Sequence, residues 1–189
     1  MKDEDKHIVK RIKNGEVTAF AQLIDRYQHM AFTLALSIVK NREDAQEIAQ
    51  DAFMKAYRSL ADFREQSRFS SWFYRIVYNT AISAQRLKKD AFLDIDSTAA
   101  KHSTENRVEA SDKLETRDRK VLLKQAIAQL DEDDAFIVIL YYYKELSIDE
   151  IQQITGISNA NIKVKLHRSR KRLFQSLEHT LKSELPDLL

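Results

Sequence analysis

Along the first ninety positions apolar residues recur at spacings of three and four, which marks helices with one buried face. Ile8, Val9 and Ile12 share one side of a segment at about 4–14, and Gly15 ends it. Phe20, Leu23, Ile24, Tyr27, Ala31, Leu34 and Ile38 carry the rhythm through 17–39. The third run is the most regular: Ala45, Ile48, Ala49, Ala52, Phe53, Ala56, Tyr57 and Leu60. Asn41 stands where it can cap that helix, with Asp44 in its first turn. A fourth helix would bury Phe73, Ile76, Val77, Thr80, Ala81 and Ala84, with Ser70 or Ser71 as its cap. From 91 to 112 the rhythm stops. The segment is polar, Ser/Thr-rich and mildly acidic, and it reads as a flexible linker. The chain thus divides into an N-terminal domain at 1–90, the linker at 91–112 and a C-terminal domain at 113–189.

The second half opens with a helix near 113–129. LDEDD then offers Asp131 as an N-cap. AFIVILYYY at 135–143 is β-branched and aromatic enough to be a strand, but a cap precedes it and no partner strand is visible, so it reads as helix. Ser147 and Glu150 in SIDE form a capping box for a helix that Gly156 ends. Ser158 then caps a final helix from about 159 to 183. With only two Gly and one Pro in 189 residues, the turns a sheet needs are missing. The expected class is all-α: two small helical domains joined by a flexible linker.

The absence of Cys excludes disulfides, thiolate zinc sites and Cys nucleophiles, and fits a reducing compartment. The N-terminus has no apolar signal region, and the longest apolar runs fall well short of the ~20 residues of a membrane span. A cytoplasmic protein without membrane insertion is expected. The five His are scattered, and neither HExxH nor a Gly-rich phosphate loop occurs. An enzyme therefore has no support, and no cofactor or metal is expected. The net charge of +2 is uninformative, but its distribution is not. Residues 160–177 hold six Lys/Arg and no acid, whereas 43–51 hold four acids and no base. Such segregation suits a protein that meets an anionic partner on one face and something else on another.

The two helices flanking Gly156 make a helix-turn-helix candidate, with Ile154, Ile157, Ile162 and Leu166 as its core. Asn159, Asn161, Lys163, Val164, His167 and Arg168 then point outward, and Asn, Lys and Arg are side chains that read base edges. Arg170, Lys171 and Arg172 suit backbone contacts. The stretch from Phe63 to Tyr78 is different. It holds Phe63, Phe69, Trp72, Phe73, Tyr74 and Tyr78 among positive charges, and single-stranded nucleic acid takes rings for stacking and cations for its backbone. Phe69, Phe73 and Trp72 read as core. Phe63, Arg64, Ser67, Arg75, Asn79 and Ser83 read as the strand-contacting set.

Four stretches resemble the extracytoplasmic-function (ECF, group IV) sigma factors of RNA polymerase, members of the sigma-70 family. AFAQLIDRYQHMAF at 19–32 looks like the start of sigma domain 2, and EDAQEIAQDAFMKAYRSLADF at 43–63 like its polymerase-binding helix. RFSSWFYRIVYNTAISAQR at 68–86 looks like the melting and −10 helix. LSIDEIQQITGISNANIKVKLHRSRKRL at 146–173 looks like the −35 helix-turn-helix of domain 4. The resemblance implies that Asp44, Glu47, Gln50, Asp51 and Lys55 face core polymerase, with β′ and β as partner subunits. The loop at 63–68 would hold a base flipped out of the −10 strand, with Asn79 contacting the same strand. Asn161, Lys163, Lys165, His167, Arg168 and Arg170 would meet the −35 duplex. An anti-sigma factor is an implied partner, and association with the nucleoid is implied when the factor is active. The chain departs from the family at Glu132, where Pro is usual, and at Glu145, where Gly is common. The other reading of the residues is a stand-alone helix-turn-helix regulator that binds operator duplex without polymerase.

Overall fold

The computed structural model describes residues 2–93 and 114–184. The elements are α1 (Lys2–Lys13), α2 (Phe20–Val39), α3 (Arg42–Ser59), α4 (Phe69–Leu93), α5 (Leu114–Ala128), α6 (Glu132–Val138), α7 (Ile148–Thr155) and α8 (Asn159–Glu184). Short 3₁₀ turns at Val17–Ala19 and Leu60–Asp62 lead into α2 and out of α3. Among the described residues there is no strand. Most of the expected linker, 94–112, lies outside them.

In the first half α2, α3 and α4 pack against one another, because each carries an apolar stripe at helical spacing. Leu23, Leu34 and Ile38 of α2, Ala45, Ala52 and Ala56 of α3, and Phe73, Val77 and Ala81 of α4 are fully or almost fully buried. The small side chains of α3 let its neighbours approach closely. Asn41 caps α3 as expected, accepting a 2.9 Å hydrogen bond from the Asp44 amide. Tyr57, on the apolar rhythm of α3, is exposed instead. Its ring is held at the surface edge against Phe20, 5.1 Å away. Neither Ser70 nor Ser71 caps α4: the helix already begins at Phe69, and the Trp72 amide bonds the Arg68 carbonyl at 3.1 Å.

The apolar run at 135–143 is helical. Glu132–Val138 is α-helix, and Ile139–Tyr143 widens into a π-helical turn. That turn closes with the Lys144 amide on the Ile139 carbonyl at 3.2 Å. Asp131 occupies the cap position without a side-chain cap bond, because its carboxylate is drawn to Arg172 at 2.6 Å. Glu145 has φ 53°, in the left-handed region that a glycine would take without strain. The capping box forms in full: Ser147 accepts from the Glu150 amide while Glu150 accepts from the Ser147 amide. Gly156 ends α7 at φ 75°. Ser158 follows, its hydroxyl 3.4 Å from the Asn161 amide at the start of α8.

Candidate nucleic-acid interface

Helix α8 is built on the two sides expected of a reading helix. Ile162 and Leu166 are buried against Ile151 and Ile154 of α7, and Ile157 packs at their edge. That packing leaves Asn161, Lys163, Val164, His167, Arg168 and Arg170 exposed. Two expected members are placed differently. Asn159 is half-buried, and its amide donates to Asp149 at 2.6 Å. Lys165 lies off the free face. Its ammonium donates to Asp134 at 2.8 Å and stands 3.8 Å from Asp133. Asp134 is 5% exposed, and a carboxylate that deep requires a cationic partner. Lys165 is that partner, so its charge is committed inside the domain.

The rings of the 63–78 stretch pack together in the core. Phe69, Phe73, Tyr74 and Tyr78 are buried, and Trp72 is partly so. The correction falls on Phe63, expected at the surface. It is 5% exposed, with its ring 4.9 Å from Trp72 and 6.0 Å from Phe69. Six rings in one stretch cannot all find solvent on a helix whose other face must bury. Phe69 stacks on Phe73 at 5.9 Å, Phe53 closes on Phe73 at 4.6 Å, and Tyr27 meets Phe69, Phe73 and Tyr74. What remains outside is polar. Arg75, Asn79 and Ser83 are exposed four residues apart, one stripe along α4, and Arg64 is exposed in the loop before it. Ser67 is half-buried there, and Glu65 bends the loop at φ 56°.

One contact on this loop has no sequence signal. Lys13, on α1, donates to the Phe63 carbonyl at 2.6 Å and lies 5.8 Å from the Phe63 ring centre. It ties the start of the loop to a helix fifty residues earlier.

On α3, Glu47, Gln50, Asp51 and Lys55 are exposed, one turn or less apart. Asp44 is half-buried and paired with Lys88 of α4. Lys55 donates to the Thr80 hydroxyl at 3.2 Å. The acidic residues of α3 and the basic residues of α8 thus lie on different helices. Among the described residues no cluster of three or more His, Asp or Glu is placed to hold a metal, and no helix is long and apolar enough to cross a membrane.

Residues 23–90 match sigma-70 region 2, and residues 120–173 match sigma-70 region 4. The chain is 32% identical over 176 residues to the ECF RNA polymerase sigma factor SigW of Bacillus subtilis (strain 168), which covers 89% of this chain and 94% of that protein. It is 29% identical over 188 residues to the RNA polymerase sigma-H factor of Pseudomonas aeruginosa, covering 95% and 97%. Its fold is similar to that of CnrH, solved in complex with the cytosolic domain of CnrY: TM-score 0.63 at 21% identity, over 93% of this chain and 97% of that one. It is also similar to RpoE, solved with the anti-sigma factor NepR from Bartonella quintana: TM-score 0.70 at 22% identity, over 84% and 96%. Both matched regions lie in order on one chain, and the relatives align over nearly their whole length. The chain therefore belongs to the ECF sigma factors of the sigma-70 family, DNA-binding proteins that start transcription with RNA polymerase and catalyse no reaction themselves.

Proposed function

We propose that this chain, as a group IV factor, reads promoters through two helices and docks on core polymerase through a third. The exposed side of α8, carrying Asn161, Lys163, His167, Arg168 and Arg170, meets the −35 duplex in its major groove. The stripe Arg75, Asn79 and Ser83, with Arg64 and Ser67, follows the −10 strand. Glu47, Gln50 and Asp51, with Asp44 and Lys55 at the edge, face the polymerase. One observation carries this reading: on α3, α4 and α8 a row of polar side chains is exposed on a helix whose opposite face is locked in core. A rigid back and a solvated front let a helix present side chains in a set register. The rows also differ in charge, acidic on α3 and basic on α4 and α8, as their partners would require.

The fold shared with two factors solved in complex with partner proteins supports control of this chain by an anti-sigma factor. It acts in the cytoplasm, on nucleoid DNA when released. Because the −10 rings are core, the strand is held by hydrogen bonds and charge more than by stacking. The domain that meets the −10 strand and core polymerase is 1–90, the domain that meets the −35 duplex is 113–189, and 91–112 is the linker between them.

The test is assembly with bacterial core polymerase, followed by initiation on a template library. The wild type should co-migrate with core and start new transcripts. Asp51→Arg, exposed and outside every core contact, should keep its fold and lose core binding. Normal assembly of Asp51→Arg would remove α3 as the polymerase face.

A further inference from the structure

The exposed row of α8 is aimed only as well as its packed side is held. On that side Ile162 and Leu166 are buried, and Ser169, one turn beyond Lys165, is fully buried. Apolar contact is non-directional, so it holds α8 close and leaves its rotation loosely set. Lys165 supplies the directional part. It stands beside Leu166 and three residues after Ile162. Its ammonium donates to Asp134 of α6 at 2.8 Å, with Asp133 at 3.8 Å. The Asp134 side chain is 6% exposed and the Lys165 side chain 30%. A charge-assisted hydrogen bond made so far from water is directional, and rotating it out strands a buried carboxylate. Arg172, seven residues on, pairs with Asp131 at 2.6 Å, but those side chains are 53% and 70% exposed, where an ion pair is worth little. The rotational hold on α8 therefore falls on Lys165 and Asp134.

We propose that Asp134, acting through Lys165, is a positioning residue for −35 readout: the buried pair sets the rotation of α8 and so selects which of Lys163, His167 and Arg168 reach base edges. The inference rests on the reading of α8 as the −35 helix. Neither member of the pair touches DNA. Lys163 precedes Lys165 by two residues, and His167 and Arg168 follow it by two and three, so the reading side chains flank the lock closely. A helix with its side chains is about 10–12 Å across, so a reading atom lies about 5–6 Å from the axis. A rotation of about 10° then moves that atom by about 1 Å. Recognition needs side chains held to about 0.5 Å and about 10–20°. Slack that leaves the fold intact is thus enough to blur base choice. Exchanging a buried ion pair for apolar residues of similar volume often leaves stability unchanged or raises it. What this pair adds is therefore aim, more than stability.

The test uses the full chain assembled with core polymerase and bound to promoter fragments that differ at single −35 base pairs. Helix content and urea midpoint are measured for each variant. The wild type should prefer the best −35 sequence by about 5- to 140-fold at each base pair it reads. The apolar pair, Asp134→Leu with Lys165→Met, should keep its helix content and urea midpoint. Its preference should shrink by about fivefold or more, the loss of one weak base contact, with the salt slope of binding unchanged. Asp134→Asn, which keeps the shape and removes the charge, should reduce the preference in the same direction. Lys165→Arg, which keeps the ion pair, should retain it. A salt slope lowered by about 0.9 in Lys165→Met would make Lys165 a phosphate contact and overturn the proposal. So would a Lys165→Arg as impaired as the apolar pair. If the apolar pair unfolds, Asp134→Asn decides, and an unchanged preference there refutes the positioning role. A wild type without any −35 preference would remove α8 as the reading helix, whereas a wild-type preference that survives the apolar pair removes only the role of Asp134 and Lys165.

Discussion

Phe63→Ala separates a ring that holds the fold from a ring that holds DNA. The side chain is 5% exposed and touches Phe69 and Trp72 at ring-centre distances of 6.0 and 4.9 Å. Deleting a buried Phe side chain costs about 3–5 kcal/mol, and the aromatic pairs account for about 0.5–1.5 kcal/mol each within that range. Phe63 follows a short 3₁₀ turn and not a long helix, so its surroundings can partly collapse, and the lower end, about 3 kcal/mol, is expected. That is a factor of about a hundred in the folded-to-unfolded ratio. For a helical unit of this size it lowers Tm by roughly 12–24 °C. The assay is urea unfolding followed by circular dichroism and by the emission of Trp72, the chain's one tryptophan and a direct neighbour of the ring. Both probes should shift together. Stability unchanged to within about 0.5 kcal/mol, the range of ordinary surface substitutions, would refute the core assignment. If promoter opening were lost at the same time, the ring would be a stacking platform after all.

Three further outcomes follow from the same geometry. Glu145→Gly should stabilise the C-terminal half by about 0.5–1 kcal/mol: relief of left-handed strain is worth about 1–2 kcal/mol, less the extra freedom of glycine in the unfolded chain. A lower urea midpoint would contradict it. Arg168→Ala should cost about 1–3 kcal/mol at one −35 base pair if it reads a base. A phosphate contact would instead weaken all sequences and reduce the salt slope by about 0.9, and no effect on any promoter would take Arg168 off the reading face. Burial comes first in raising the hydroxyls of Tyr27, Tyr74 and Tyr78 above the ordinary tyrosine range, with Asp5 or Asp133 adding to it. Unfolded tyrosines ionise near pH 10 while these stay protonated in the fold, so their contribution is complete below about pH 10 and is lost as pH rises further. Urea midpoints at pH 8 and pH 11 should differ accordingly, and Tyr74→Phe should remove up to about 1.4 kcal/mol per pH unit of that slope. An undiminished slope in Tyr74→Phe would place its ionisation elsewhere.

Local chemistry made much of this protein legible. Helical periodicity located the four helices α1 to α4 closely, because burying one face at 3.6 residues per turn writes itself into spacing. Asn41, the Ser147–Glu150 box and Gly156 act within a few residues of themselves, so their roles could be read before any packing was known. The outward row on α8 followed from where Ile162 and Leu166 had to point. The errors arose where a distant partner decides. A ring near a loop looks available until Trp72 and Phe69 close over it, as happened to Phe63. Lys165 belongs to a basic run in sequence, yet a buried carboxylate thirty-one residues away claims it. Asp131 stands at a cap position but pairs with Arg172, forty-one residues on. Lys13 and Lys40 reach carbonyls fifty or more residues away, with no spacing rule to announce them. Periodicity and capping are local and determine which helices form and which face each buries. Which charges stay free, which rings are covered and how one half holds the other depend on contacts between remote segments, and only the tertiary structure decided those.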